Sequence, residues 1–371
     1  MKKLFLYSTL ALCLLTFSTE SYSQTIPFDS NRWEIIAKEG KVIDYLGRKS
    51  LVLQSGYAIV KDSQFTDGVI EFDIALTGEL GFMGAIWRVQ DAGNFEEFYL
   101  RPHQSGNPDA NQYQPVFNGL AAWQLYYGEG YGAPVKYDFN QWMHIKMVIS
   151  GKNAEIYIKD MEKPALFVNE MKREIKSGRV GLNVSNFAPA YYSNFSFTPM
   201  NRPALKGVAK APAPTPAGTV MSWAISSLIE GKSLEKKYQL MPSDKQGLSW
   251  KKIGCENTGL ANIATVQGMD GEKNTAFARL IIQSDKEQVK KVKFGFSDGV
   301  KVYFNDRLLY GGSDAFLSRD NRFLGTIGYF DELYLPLKKG ENELWIAVTE
   351  TFGGWGLKAM FDEMEGIKLK E

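Results

Sequence analysis

From Val69 to Leu76 the chain reads Val-Ile-Glu-Phe-Asp-Ile-Ala-Leu, with Ile70, Phe72, Ile74 and Leu76 at one parity and Glu71 and Asp73 at the other. A strand turns successive side chains to opposite faces, so this alternation marks a strand with one face on a core. The pattern recurs at His144 to Ile149 and Ala154 to Ile158, joined by a turn at Ser150 to Asn153 around Gly151, and again at Val180, Leu182 and Val184. Period 3.6 is scarce, so this half of the chain predicts an antiparallel sandwich and excludes a helical domain.

Beyond Pro199 the alternation stops. Residues 200–219 carry Pro203, Pro212, Pro214 and Pro216 among alanines, without apolar periodicity, which reads as a stiff extended linker. Alternating or apolar runs resume at Ala276 to Ile282, Val292 to Phe296, Val300 to Phe304 and Leu344 to Val348. Turns at Ser297-Asp298-Gly299 and Lys339 to Asn342 separate them. The expected fold is therefore all-β, with two β-sandwich (jelly-roll) domains at 25–199 and 220–371 joined by a Pro/Ala-rich linker. A length of 371 residues lets each bury its own core.

Lys2 and Lys3 precede an apolar run from Leu4 to Phe17, and Ser21 and Ser23 flank a cut before Gln24. Residues 1–23 read as a secretory signal peptide, which places the mature chain outside the cytoplasm, secreted or periplasmic. Cys13 follows Leu12 inside the apolar run, where a lipidation signal wants a small residue. No later apolar run reaches the roughly eighteen residues of a membrane span. Removing the signal leaves Cys255 without a partner for an intramolecular disulfide, and a small, half-buried thiol is its expected state. The charge balance of 43 Lys+Arg against 42 Asp+Glu becomes neutral once Lys2, Lys3 and Glu20 leave. That excludes the basic excess of a nucleic-acid binder and suits a neutral ligand.

Asp67-Gly-Val-Ile-Glu-Phe-Asp-Ile, Trp142-Met-His-Ile-Lys and Gly178-Arg-Val-Gly-Leu-Asn together resemble a concanavalin A-like, laminin-G-type sandwich over most of residues 28–198, nearest to the 3-keto-disaccharide hydrolase-like domains. Where that family has an Asn-Ser-Gly stretch before an Arg-bearing strand, Phe82-Met-Gly-Ala-Ile-Trp-Arg stands here. The second half resembles the galactose-binding-like jelly rolls of secreted glycosidases and esterases. Phe296-Ser-Asp-Gly-Val-Lys-Val-Tyr-Phe-Asn-Asp, Leu335-Pro-Leu-Lys-Lys-Gly-Glu-Asn and Phe352-Gly-Gly-Trp-Gly carry that likeness. The two resemblances imply carbohydrate as the partner, with the second module auxiliary.

Glucanases of the concanavalin A-like fold place an E-x-D-x-x-E row on one strand. Glu71 and Asp73 fill its first two places, but Leu76 occupies the third, so the acid pair is incomplete. A second row lies in Asn94-Phe-Glu-Glu-Phe-Tyr-Leu-Arg-Pro-His. As a strand it puts Glu97, Tyr99 and Arg101 on one face over about 14 Å, with Phe98 and Leu100 turned to the core. An acid, an aromatic ring and a guanidinium so spaced suit a polyol, and equally a cross-strand ion pair on an exposed sheet.

Trp87, His103, Trp123 and Tyr127 complete the expected ligand-binding set with Glu97, Tyr99 and Arg101. The catalytic candidates are Glu97, His103 and Asp73. His144, beside Trp142, is expected to be structural. No His or Cys cluster has zinc spacing. No cofactor is expected, and calcium stays open through scattered acids such as Asp109 or Asp320.

Three functions follow as expectations: binding of a neutral glycan through the first sandwich, hydrolysis or lysis of a (3-keto) disaccharide or polysaccharide, and a protein-binding scaffold at the envelope.

Overall fold

A computed structural model describes residues 24–370, so the segment read as a signal peptide, with Cys13, lies outside the described residues. The first sandwich comprises β1 (Trp33–Tyr45), β2 (Arg48–Val60), β3 (Gly68–Ala75), β4 (Met83–Asp91), β5 (Asn94–Leu100), β6 (Asn111–Phe117), β7 (Leu120–Ala121), β8 (Trp142–Ser150), β9 (Asn153–Ile158), β10 (Leu166–Val168), β11 (Arg179–Val184) and β12 (Ala190–Pro199). They pair in the order β10-β9-β8-β3-β12-β2-β11-β4-β5-β6-β7, with β1 on β2.

This one sheet curls into two layers because β2 serves both. It pairs with β12 through Leu51 to Leu53 and with β11 through Gly56 to Ile59. Ser55, at φ +56°, sits where the ladder passes from one layer to the other. Ile70, Phe72 and Ile74 of β3 and Ile145 and Met147 of β8 meet Ala85 and Trp87 of β4, Phe98 of β5 and Tyr113 of β6 in one core. Each such ring fully removed from water contributes roughly 1.5–3 kcal/mol, which is why the alternation dictates the layering.

The second sandwich comprises β13 (Ser222–Ser226), β14 (Ile229–Glu230), β15 (Trp250–Gly254), β16 (Ala261–Asn262), β17 (Lys273–Ser284), β18 (Gln288–Ser297), β19 (Gly299–Phe304), β20 (Arg307–Ser313), β21 (Asp331–Leu337), β22 (Gly340–Thr349), β23 (Gly356–Phe361) and β24 (Ile367–Lys370). One sheet runs β15-β13-β17-β22-β19-β20, and β16-β23-β18-β21 forms the other. Trp223, Ile225, Ile346 and Val348 of the first meet Phe294, Phe296, Leu357 and Phe361 of the second. Both halves of the chain are therefore all-β sandwiches.

Residues 200–219 hold no strand. They lie along the first sandwich, where Gly207 N–H donates to Glu155 Oε1 at 2.6 Å and Lys210 N–H to Asn169 Oδ1 at 2.8 Å.

The two sandwiches dock through the loop that follows β7. Gln124 N–H donates to Gly353 O at 3.0 Å, Gln124 O accepts from Ile327 N–H at 3.1 Å, and the Gln124 amide donates to Leu324 O at 2.8 Å. Beside it, Glu256 accepts from the Tyr126 hydroxyl at 2.6 Å and from Lys172 at 2.7 Å. Ala122, Leu125, Tyr126 and Leu260 form a small core across this junction.

Candidate ligand-binding cavity

The outer face of the layer built from β11, β4, β5 and β6 opens into a cavity of about 790 Å³. Its floor follows from strand parity. Phe98 and Leu100 are fully buried in the core, so Glu97, Tyr99 and Arg101 point to the other face of β5. Gln114 stands directly opposite Glu97 across the β5–β6 ladder, and Gln112 opposite Tyr99. Asn183 reaches the same face from β11, opposite Gly84 of β4.

Glu97 accepts from the Gln114 amide at 2.7 Å and from the Asn183 amide. Burial pushes its carboxyl above the ordinary range, while Gln114, Asn183 and Arg101 pull the other way. Arg101 donates to Tyr99 Oη at 2.8 Å, to Gln112 Oε1 and to Asp109 O at 3.0 Å. Its guanidinium lies 4.9 Å from the Tyr99 ring and 5.8 Å from the Trp123 ring, a pair of cation–π contacts that holds the fork at the cavity wall. Arg101 has no carboxylate ion-pair partner within 4 Å among the described residues. His103, edge-on to Phe82 at 5.4 Å, has its pKa lowered by burial and by Arg101, both of which favour the neutral imidazole.

Four buried polar atoms of this lining have no hydrogen-bond partner among the described residues: His103 Nδ1, Gln114 Oε1, Asn183 Oδ1 and Ser185 Oγ. Buried polar atoms are nearly always paired, so their concentration around one cavity singles it out.

The opposite wall comes from both sandwiches. Trp123 faces Phe316 at 6.5 Å and Phe352 at 5.9 Å, and Leu324 lies beside them. Of the expected ligand-binding residues, Glu97, Tyr99, Arg101, His103 and Trp123 line this one cavity.

Two residues of that set lie elsewhere. Trp87 is fully buried in the first core, because its parity on β4 is that of Ala85 and not that of Ile86. Tyr127 lies across Arg101, in a separate cleft of about 30 Å³ with Asp109 and Gly128. Residues beyond Ala121 form turns, so loop geometry and not strand alternation places Trp123 and Tyr127.

Asp73 is also displaced. It lies on the outer face of the other layer, nearly buried, where it accepts from His144 and Asn194 at 2.7 Å each and pairs with Arg48. It forms no catalytic pair with Glu97, because the two lie on the outer faces of opposite layers with the core between them. Glu71 and Asp73 bracket His144, whose pKa rises to about 9 because both carboxylates bond its ring.

Cys255 is half-buried, its thiol pushed up to about 12 by burial and by Glu256. Among the described residues, no three His, Cys, Asp or Glu side chains gather in a metal-holding group. Asp109 lines the cavity, whereas Asp320 pairs with Arg322 in the second sandwich.

The floor contains two residues that pattern reading passed over. Asn183 follows Leu182 in an alternating run and Gln114 follows Tyr113 in another, so outward parity is a usable signal for both. Phe316, Leu324 and Phe352 had none, because their approach to Trp123 depends on docking between domains.

No family model and no curated protein matches the sequence. Among solved structures, the carbohydrate-binding module CBM66 from Bacillus subtilis is 19% identical, with a TM-score of 0.35 over 45% of this chain and 94% of its own. A galectin-like-fold protein from Bacillus subtilis is 13% identical, with a TM-score of 0.35 over 48% of this chain and 95% of its own. The β-glucanase of Bacillus licheniformis is also 13% identical, with a TM-score of 0.35 over 48% of this chain and 98% of its own.

Proposed function

We propose that the chain is a secreted carbohydrate-binding protein that holds a neutral glycan in the cavity over β5. The observation that carries this reading is the convergence of Glu97, Gln114, Asn183 and Arg101 on one floor between the Tyr99 and Trp123 rings. Sugar hydroxyls donate and accept at once, which matches a carboxyl, two amides and a guanidinium side by side. The apolar C–H faces of a sugar ring pack on aromatic walls. Gln114 Oε1 and Asn183 Oδ1 offer acceptors, and Arg101 retains N–H donors beyond its three protein bonds. The reading uses side chains alone and requires no cofactor.

Affinity electrophoresis against a panel of neutral polysaccharides tests it. Retardation of the mature protein, lost in Trp123→Ala and Glu97→Ala, supports the reading. Unretarded wild-type protein on every polysaccharide, or Trp123→Ala behaving as wild type, counts against it.

A second reading rests on the Glu97 carboxyl itself. Burial raises its pKa, which is how a general acid keeps a proton near neutrality. In this reading the site is that of a glycoside hydrolase or lyase acting on a disaccharide or its 3-keto form. Turnover of such a substrate, abolished in a folded Glu97→Gln, would establish it.

A further inference from the structure

The cavity is polar at its base and apolar at its mouth. Glu97, Arg101, Gln114 and Asn183 are all buried. The exposed rim is mostly large apolar side chains left in water, Leu80 at 46% exposure, Phe187 at 44%, Phe316 at 46% and Phe352 at 59%, with Asn186 the exposed polar residue among them. A scattered exposed apolar residue is ordinary, but four lining one opening concentrate apolar surface that water solvates poorly. Leu80 has no aromatic face, so the rim is not simply a row of platforms for sugar rings. The volume of about 790 Å³ lies within the range that encloses a whole small ligand.

We infer that the ligand is amphiphilic: an uncharged saccharide headgroup seated on the Glu97 floor, carrying an apolar alkyl or aryl aglycone that leaves between Phe187 and Phe352. This rests on the carbohydrate reading above and adds the chemical class of the group attached to the sugar. The sandwiches share the work. Phe187 follows β11 in the first, Phe316 and Phe352 belong to the second, and Trp123 bridges from the floor to the rim. A headgroup alone would fill the base and leave the rim wet. An aglycone removes the rim from water and adds affinity in proportion to the apolar area covered.

Titration calorimetry with methyl, hexyl and octyl glycosides of glucose, galactose and xylose, kept below their micelle concentrations, tests the inference. Cello- and malto-oligosaccharides of increasing length and free octanol serve as comparison ligands. For the sugar that binds, the octyl glycoside is expected to bind at least tenfold tighter than the methyl glycoside. That ratio should fall below threefold in Leu80→Ser/Phe187→Ser, with methyl glycoside affinity kept. Both residues are exposed, and an unchanged melting temperature checks that the double variant folds.

Equal affinity for methyl and octyl glycosides, or gains that follow added sugar rings and not carbons, overturns the inference and leaves the carbohydrate reading standing. Octanol binding as tightly as octyl glycosides, with no preference among sugars, overturns the carbohydrate reading and this inference with it.

Discussion

The Trp123 indole of the first sandwich and the Phe352 ring of the second stand 5.9 Å apart, inclined at 64°. This edge-on pair joins the two domains and forms one wall of the cavity, so it couples stability to the site. Aromatic pairs in this geometry contribute about 0.5–1.5 kcal/mol beyond the area they bury. A double-mutant cycle with Trp123→Ala and Phe352→Ala, followed by urea unfolding, should return a coupling energy in that range. A value near zero would mean that the rings meet without interacting.

Gly353 sets the approach of that loop. Its φ is +97°, and a Cβ there would lie 2.5 Å from Gln124 Oε1. Gly353→Ala should destabilise the protein by about 1–3 kcal/mol, from backbone strain and displacement of the Gln124 side chain. Gln124→Ala by itself loses the bond to Leu324 O, so the comparison is made in that background, where Gly353→Ala should cost less than in wild type because only the contact with Trp123 Nε1 and the left-handed alanine remain. Thermal unfolding of the single and double variants separates the two terms.

Glu350 gives the second sandwich a pH dependence. Burial, then repulsion from Asp298, raises its carboxyl to about 8, and Glu350 Oε2 has no hydrogen-bond partner. The folded chain thus holds a proton that the unfolded chain releases from its ordinary value of 4.5 upward. The stabilisation is complete below that value and is lost as pH rises to about 8, by an amount on the order of a few kcal/mol. Glu350→Gln should match wild type at acid pH and become the more stable protein near neutrality. Melting curves from pH 4 to 9 check the crossover.

His144 titrates the opposite kind of group. Its bonds to Asp73 and Glu71 raise its pKa to about 9, so the ring is a cation at neutral pH. Stability from this pairing is present below the unfolded value of 6.5 and lost as pH rises through about 9. The side chain is 39% exposed, and screening reduces the contribution to about 1 kcal/mol. Nitrogen-15 imidazole shifts should report a cation at pH 7.5, and His144→Gln should lose the dependence.

The alternation along Glu97, Tyr99 and Arg101 was enough to place these side chains on one face, because the period of a strand is a property of the backbone. The same rule separates Glu71 and Asp73 from Ile70 and Phe72. It could not say which outward faces belong to which layer. Asp73 and Glu97 are both outward residues of β-strands, and only the curling of the sheet through β2 puts them on opposite sides of the molecule. Trp87 failed for a related reason: an aromatic residue near a candidate row carries no mark of its parity until the strand pairing is known.

What the sequence determined alone is local: strands, turns, the proline-rich break and the composition of each strand face, all set by interactions within a few residues. The tertiary structure decided which faces meet. The Phe352-Gly-Gly-Trp-Gly stretch illustrates the difference. Read along the chain, its glycines permit a tight bend, but in the fold Gly353 and Gly354 leave room for Gln124 and Leu125 of the other sandwich. Trp355 itself is fully buried and donates to Val348 O at 3.0 Å. Contacts across more than two hundred residues of chain depend on shape complementarity between finished surfaces. No periodicity within either segment encodes them, and that is why the cavity's second wall emerges only with the docked domains.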